Sequence, residues 1–167
     1  MNKKTLSEIA IYYGPVSMPK GFEINKDVIA IDIFVSKIRN SEFEFSKFWD
    51  MLNTYIKDHI NVKHKINLVN MKTWGSMYKP NETTPPLLDI DPVDLRHSPD
   101  FTVLYGVKVE ECTVTIHYEN NRRKGRTWNI PLTTNKFIMF PSTCMYHLTN
   151  QQKNNLNFVQ TITYEYI

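Results

Sequence analysis

The alternation of apolar and polar positions is clearest at the C-terminal end of the chain. Over residues 157–167 the sequence reads Asn-Phe-Val-Gln-Thr-Ile-Thr-Tyr-Glu-Tyr-Ile. Phe158 and Ile162 fall on one side of this segment, while Val159 and Thr161 fall on the other. A period of two among aromatic and β-branched residues predicts a β-strand.

Shorter apolar runs predict more strands in the second half of the chain. They cover residues 101–109, 113–118 and 137–140. The polar segment 120–126 joins the second of these runs to Trp128, so we interpret it as the tip of a hairpin. Short strands separated by closely spaced turn signals indicate a β-sandwich or a barrel.

The N-terminal third predicts one clear helix. Residues 41–44, Ser-Glu-Phe-Glu, fit a capping box at a helix start. Apolar residues follow at helical spacing: Phe45, Phe48, Trp49, Leu52, Tyr55 and Ile56. Alternation over 27–37 predicts a strand with one aliphatic face, and weaker signals predict strands at 9–13 and 63–69.

Between residues 74 and 95 the chain is rich in proline, which disfavours regular structure. The prolines are Pro80, Pro85, Pro86 and Pro92. We predict a long loop here, and a long loop in a compact domain is commonly either functional or disordered.

Length and composition bound the kind of protein. The 167 residues, of which 41% are hydrophobic, predict one domain, with 1–70 supporting a β core formed by 71–167. The net charge of +3 is too small to indicate nucleic acid. No apolar run has the length of a signal peptide core or a membrane span, so we expect a cytoplasmic protein without a membrane partner.

The two cysteines, Cys112 and Cys144, have neither zinc-site nor redox-motif spacing. Buried, reduced thiols are the favoured interpretation, and a disulfide between neighbouring strands is the alternative. Most of the basic residues are lysines and asparagine is abundant, a composition that suggests an AT-rich genome such as that of a phage or a small bacterium. For a phage protein the expected location is the host cytoplasm.

One segment resembles a known family. The pattern Ile-Pro-Leu…Asn-Lys-Phe-Ile-Met-Phe-Pro-Ser…His over 130–147 is followed by the strand at 157–167. It resembles the C-terminal half of the double-stranded β-helix of iron(II)- and 2-oxoglutarate-dependent oxygenases. Small, phage-encoded prolyl-hydroxylase-like members are the most similar. The resemblance covers residues 74–167 and implies a mainly β jelly roll with one or two N-terminal helices buttressing it.

The resemblance also implies a metal site. In the family, two histidines and one carboxylate hold iron(II) and leave positions open for 2-oxoglutarate and dioxygen. The Phe-Pro-Ser turn leads to the distal histidine, which His147 matches. The first histidine and the carboxylate come as His-x-Asp, and His97 and Asp100 stand before a predicted strand with one residue too many between them. Asp94 is a further carboxylate nearby.

Each histidine has a structural alternative. His97 can be an exposed residue of a turn, because Pro99 and Asp100 follow it. His147 can be a partly buried imidazole that is hydrogen-bonded within the sandwich. His117 is predicted to face solvent, on the polar side of its strand.

The cosubstrate site departs from the family pattern. Family members place Arg or Lys roughly ten residues after the distal histidine, where its charge pairs with the far carboxylate of 2-oxoglutarate. Here that region holds Asn157 between two apolar residues. Asn157, Tyr105 or Lys136 are the candidates for this contact, with Arg126 as a further one.

Three functions follow as hypotheses. The first is an oxygenase that hydroxylates a protein side chain or a small target, with the 74–95 loop covering its substrate. The second is a non-catalytic jelly roll of a phage, with a structural or host-interaction role and a lost metal site. The third is phosphate contact to nucleic acid through a basic cluster that comprises Arg122, Arg123, Lys124 and Arg126. For this cluster we favour the interpretation as a solvated hairpin tip. Formation of a homodimer is a further hypothesis, about the assembly of the protein.

Overall fold

The computed structural model describes residues 1–5, 8–20, 25–39, 47–121 and 124–167. Strands and helices follow in the order β1 (Tyr12–Pro15), α1 (Lys26–Arg39), α2 (Lys47–His64), β2 (Leu68–Tyr78), β3 (Phe101–Lys108), β4 (Cys112–Asn121), β5 (Lys124–Leu132), β6 (Lys136–Pro141), β7 (Met145–Asn150) and β8 (Asn157–Tyr166). A 3-10 turn, Leu95–His97, precedes β3.

The strands form two antiparallel sheets. The larger sheet has the order β1-β6-β3-β8-β2, and the smaller one has the order β5-β4-β7. The predicted mainly β class is therefore confirmed for the described residues, and of the one or two N-terminal helices expected, two are present. Two facing antiparallel sheets are consistent with the expected jelly roll. The division of the chain near residue 70 stays a prediction.

The larger sheet separates two apolar cores. On one side, Trp49 of α2 packs in a cluster with Tyr105 and Ile162 of the sheet, which we call the helix-side core. On the other side, Phe140 of β6 and Tyr146 of β7 lie in a second cluster, the inter-sheet core. Successive residues of a strand point to opposite faces, so strands such as β3 and β6 contribute side chains to both cores.

The prediction of a strand over 27–37 is wrong, because this segment forms α1. The side-chain oxygen of Asn25 accepts hydrogen bonds from the backbone N–H groups of Asp27 (3.1 Å) and Val28 (3.3 Å), which caps the helix start. Ile29 and Ile33, one turn apart, are fully buried. An almost continuous apolar run satisfies both periods, so alternation alone could not decide between them.

The predicted helix is present as α2, and its first described residue is Lys47. The capping box at 41–44 lies outside the described residues. The helix extends through His64, so the weak strand predicted at 63–69 is wrong, and the strand begins at Leu68 instead. Gly75 of β2 lies directly under the helices. A side chain there would collide with Ile33 and Trp49, so glycine lets the helices approach the sheet.

The proline-rich segment is not simply a loop. Its first residues complete β2 up to Tyr78. It then runs antiparallel beside β7, with bridges from Thr83 to Thr149 and from Leu87 to Tyr146. This extended stretch therefore continues the small sheet at its β7 edge and leads into Asp89, which contacts both sheets.

Candidate functional site

His97 and Asp100 lie apart from the space between the sheets. His97 ends the 3-10 turn with its side chain 76% exposed, and its Nδ1 lies 2.8 Å from Oδ2 of Asp94. The Asp100 carboxylate accepts a hydrogen bond of 2.7 Å from the backbone N–H of Tyr166, at the end of β8. Each of the two side chains therefore has its own partner, and neither partner is shared.

His147 lies on β7, but on the outer face of the small sheet. Its neighbours Tyr146 and Leu148 point into the inter-sheet core. The Nδ1 atom of His147 is 3.0 Å from Nε2 of His117 on β4. Partial burial, and after it the neighbouring His117, lower the pKa of His147 below its ordinary value.

The residues predicted to hold the cosubstrate are also dispersed. Tyr105 is buried in the helix-side core, where its hydroxyl donates a 2.9 Å hydrogen bond to Asn135. The buried Asn157 side chain exchanges hydrogen bonds with both backbone groups of Glu110, at 3.0 and 3.1 Å. Lys136 is an exposed residue at the start of β6. Their role toward 2-oxoglutarate stays a prediction.

A carboxylate that the sequence analysis did not select lies between the two sheets. Oδ2 of Asp89 accepts a 2.9 Å hydrogen bond from the Tyr146 hydroxyl on β7 and a 3.0 Å hydrogen bond from the Thr102 hydroxyl on β3. The Thr102 oxygen is in turn 2.9 Å from the hydroxyl of Ser142, in the turn after β6. This network, which we call the Asp89 network, links both sheets to the Phe-Pro-Ser turn.

The backbone beside Asp89 is fixed by its pairing with β7. The N–H of Leu87 donates to the carbonyl of Tyr146 at 2.7 Å, and the N–H of Tyr146 donates back to Leu87 at 3.0 Å. The Leu87 side chain packs against the inter-sheet core, which contains Tyr146. The sequence Leu87-Leu88-Asp89 thus carries leucine two residues before the inner carboxylate, where a His-x-Asp motif would carry histidine.

The electrostatics of this network favour protonated groups. Burial raises the pKa of Asp89, and the hydrogen bonds from Tyr146 and Thr102 oppose this shift. Burial, followed by the proximity of Asp89, raises the pKa of Tyr146 well above its ordinary value. The phenol therefore keeps its proton and acts as a hydrogen-bond donor rather than as an anionic ligand.

The donors around Asp89 do not fit the iron centre that the resemblance implies. Such a centre needs two neutral imidazoles beside a carboxylate. Asp89 has a phenol and an aliphatic hydroxyl as partners instead. Across all the described residues, no group of three His, Cys, Asp or Glu side chains is placed to hold a metal ion, and His97, Asp100 and His147 are among the residues described.

Asp89 could have been found from one signal in the sequence. It follows the apolar pair Leu87-Leu88. A carboxylate in such a segment is a candidate for the interior. The pairing of the proline-rich segment with β7 places Asp89 near Tyr146. This pairing is a tertiary contact that local patterns do not encode.

The other sequence predictions have mixed outcomes. Arg122 and Arg123 lie outside the described residues, as does the side chain of Lys124, while Arg126 is exposed on β5. The nucleic-acid hypothesis is therefore not tested. Cys112 and Cys144 are buried and free, and burial raises the pKa of Cys112 to about 12. Among the described helices, none has both the length and the apolar character to span a membrane.

Comparison with known proteins shows the fold. No family model and no curated protein matches the sequence. Among solved structures, a Pseudomonas putida prolyl-4-hydroxylase has a TM-score of 0.64 at 10% identity, covering 93% of this chain and 87% of its own. AviO1 from Streptomyces viridochromogenes Tue57 has a TM-score of 0.64 at 9% identity, covering 94% and 90% respectively.

A third similar structure carries ligands. The non-heme epimerase SnoN, in complex with Fe3+, alpha ketoglutarate and nogalamycin RO, has a TM-score of 0.63 at 9% identity, covering 93% of this chain and 78% of its own. The chain therefore has the fold of the 2-oxoglutarate- and iron(II)-dependent oxygenases. The identities are low, so the similarity extends to the fold alone.

The raised pKa of Asp89 predicts how stability depends on pH. Because the folded-state pKa lies above the ordinary value of 3.8, the contribution of Asp89 is fully present below that pH and is lost as pH rises through the raised pKa. In Asp89→Asn this titration is absent. We expect the free energy of unfolding of the wild type, minus that of the variant, to decrease with rising pH in this window.

Urea unfolding of both proteins in a series of buffers from acid to neutral pH measures this difference. The subtraction cancels the titration of the other carboxylates, which both proteins share. A difference that increases with pH would show that the hydrogen bonds from Tyr146 and Thr102 outweigh burial and hold the pKa of Asp89 below its ordinary value.

Proposed function

We propose that this chain is a binding or structural jelly roll that keeps the oxygenase fold but has no iron centre. One observation carries the proposal: the inner carboxylate, Asp89, is hydrogen-bonded to the phenol of Tyr146, and the residue two positions before it, where a His-x-Asp motif has histidine, is Leu87. A protonated phenol and a leucine provide no lone pair that suits iron(II). The Asp89 network thus ties the two sheets together.

A role of this kind is exerted through the surface of the fold. Asp89 lies beside Tyr146, one of the buried side chains of the inter-sheet core. We therefore place binding of a partner on the outer faces of the sheets and on the connecting segments. A structural or host-interaction protein of a phage is the setting that we propose for it, based on the composition of the sequence.

The competing function is an iron(II)- and 2-oxoglutarate-dependent oxygenase that acts on a protein side chain or a small target. The fold supports it, because the similar structures include a prolyl-4-hydroxylase and an epimerase with Fe3+ and alpha ketoglutarate. The comparisons taken alone favour this function over an iron-free one. It requires that histidines such as His97 and His147 reach a carboxylate that they do not approach in this structure.

An anaerobic titration distinguishes the two functions. Metal-stripped protein is titrated with iron(II) and then with 2-oxoglutarate, and the visible spectrum and the melting temperature are recorded. We expect no charge-transfer band that requires both additions, and no rise in melting temperature from 2-oxoglutarate, because a ligand that does not bind the native state does not stabilise it.

The control variants are Asp89→Asn and His147→Ala. A band in the wild type that disappears in Asp89→Asn would establish an iron site at the inner carboxylate and overturn the proposal. A band that disappears in His147→Ala alone would instead support the triad of His97, Asp100 and His147 that the resemblance implies.

A further inference from the structure

The outer face of the small sheet carries a pair of histidines that the proposed function does not use. His117 of β4 and His147 of β7 lie on adjacent antiparallel strands, where Thr115 pairs with His147 and His117 pairs with Met145. Their rings are tilted by 48° with centroids 5.1 Å apart. The nearest nitrogens, Nε2 of His117 and Nδ1 of His147, are separated by 3.0 Å.

The pair is held in a defined position. Both histidines sit in the interior of strands, and β4 is hydrogen-bonded on one side to β7 and on the other to β5. The flanking residues Ile116, Tyr146 and Leu148 are anchored in the inter-sheet core. The paired strands thus hold the backbones of both histidines in place. Both imidazoles are half-buried, so solvent still reaches them.

The nitrogen separation suits a metal ion. Imidazole nitrogens bind transition metals at about 2.0–2.1 Å, so two nitrogens 3.0 Å apart subtend an angle of roughly 95° at a shared ion. That angle is typical of neighbouring positions in a square-planar or octahedral complex, which Cu(II) and Ni(II) favour. Tetrahedral zinc would need the rings to move apart by a few tenths of an ångström.

We propose that His117 and His147 form a surface site for a divalent transition metal, with Cu(II) bound most tightly. In the absence of metal, one ring donates an N–H to the other across the 3.0 Å contact. If the donor ring moves its proton to its other nitrogen and the two rings turn toward a shared ion, both lone pairs become available and no net proton is released. Water would fill the remaining positions of the ion.

Two arguments favour copper. Divalent first-row metals bind a given nitrogen site most strongly as Cu(II). On β7, His117 is paired with Met145, whose side chain is 42% exposed and whose thioether is a soft donor that suits the reduced ion, Cu(I). The site is separate from the Asp89 network, which faces the opposite side of the small sheet.

Titration of the full chain with Cu(II), in a buffer with glycine as a weak competing chelator, tests the proposal. We expect one tight site, and an electron paramagnetic resonance spectrum with hyperfine splitting from two equatorial nitrogens. His117→Ala or His147→Ala leaves a single imidazole, so the Kd should increase by about a hundredfold through loss of the chelating pair.

His97→Ala is the matched control, because it removes an exposed histidine that is paired with a carboxylate, and it should leave the tight site unchanged. Asp89→Asn should also leave it unchanged, which separates this site from the question of an inner iron centre. A wild-type spectrum with fewer than two nitrogens, or the same Kd in all four variants, would overturn the proposal. The spectrum decides the matter even if a histidine variant folds poorly.

Discussion

Replacement of both Leu87 and Tyr146 by histidine is expected to create a Co(II) site between the two sheets. The two residues face each other in a hydrogen-bonded backbone pair, where Cβ atoms lie about 4.5–5.5 Å apart. The Tyr146 hydroxyl already reaches Asp89, at 2.9 Å. Two imidazoles here would stand beside the Asp89 carboxylate and complete a set of two histidines and one carboxylate.

The visible absorption of Co(II) measures this gain, since its intensity reports the number of ligands. All proteins in the series carry His147→Ala, so that the outer histidine pair contributes nothing. We expect absorption bands in the Leu87→His, Tyr146→His protein and none in its parent. Adding Asp89→Asn removes a direct ligand, which should weaken the binding by about a hundredfold or more.

Two outcomes would contradict the assignment. If the double variant folds, as judged by circular dichroism, and still binds no Co(II), Leu87 and Tyr146 do not mark the ligand positions. If the parent protein binds Co(II) with the same spectrum, the natural side chains around Asp89 are sufficient to bind the metal. The proposal that the interior holds no iron would then be wrong. Tyr146→His alone, which retains Leu87, is the intermediate control and should bind weakly.

Trp49→Ala is expected to cost the largest amount of stability, about 3–5 kcal/mol. The Trp49 side chain is fully buried in the helix-side core, and its Nε1 donates a 3.3 Å hydrogen bond to Asp32 of α1. The ring also lies over Gly75 of β2. Truncation would therefore open a cavity where both helices meet the sheet.

Chemical denaturation of the wild type and variants measures the loss. Trp128→Ala is the matched control, because Trp128 is 42% exposed and has an edge-on ring contact with Tyr13. We expect this control to lose only about 1 kcal/mol. Equal losses in the two variants would show that the packing of α2 on the sheet is not a main source of stability.

Several elements could be predicted because their signals are local. The alternation in β8 and in β3 reflects burial on both faces of a central strand, and both strands are present with nearly the predicted bounds. The apolar stripe of α2 predicted its buried face, which includes Leu52 and Ile56. In contrast, the apolar run of α1 fits two periods, and the Asn25 cap and the packing of Ile33 decided for the helix.

Which residue of β7 points between the two sheets depends on a shift of one position along the strand. The resemblance placed His147 after the Phe-Pro-Ser turn, and the chain does carry a histidine there. Side chains alternate along β7, so Tyr146 points between the sheets and His147 points outward to His117. A shift of one position in a strand exchanges the two faces. The sequence does not specify the residue at which the turn ends and β7 begins.

By itself, the sequence determined the mainly β class, the strands of the C-terminal half and the aromatic helix, because each follows from periodic burial within one segment. Only the tertiary structure decided which carboxylate is internal. Asp100 is near β3 in sequence, but its side chain binds the backbone of Tyr166 at the end of β8. Asp89 is brought to Tyr146 by the pairing of Leu87 with β7, a contact across more than fifty residues whose partners have no shared local pattern.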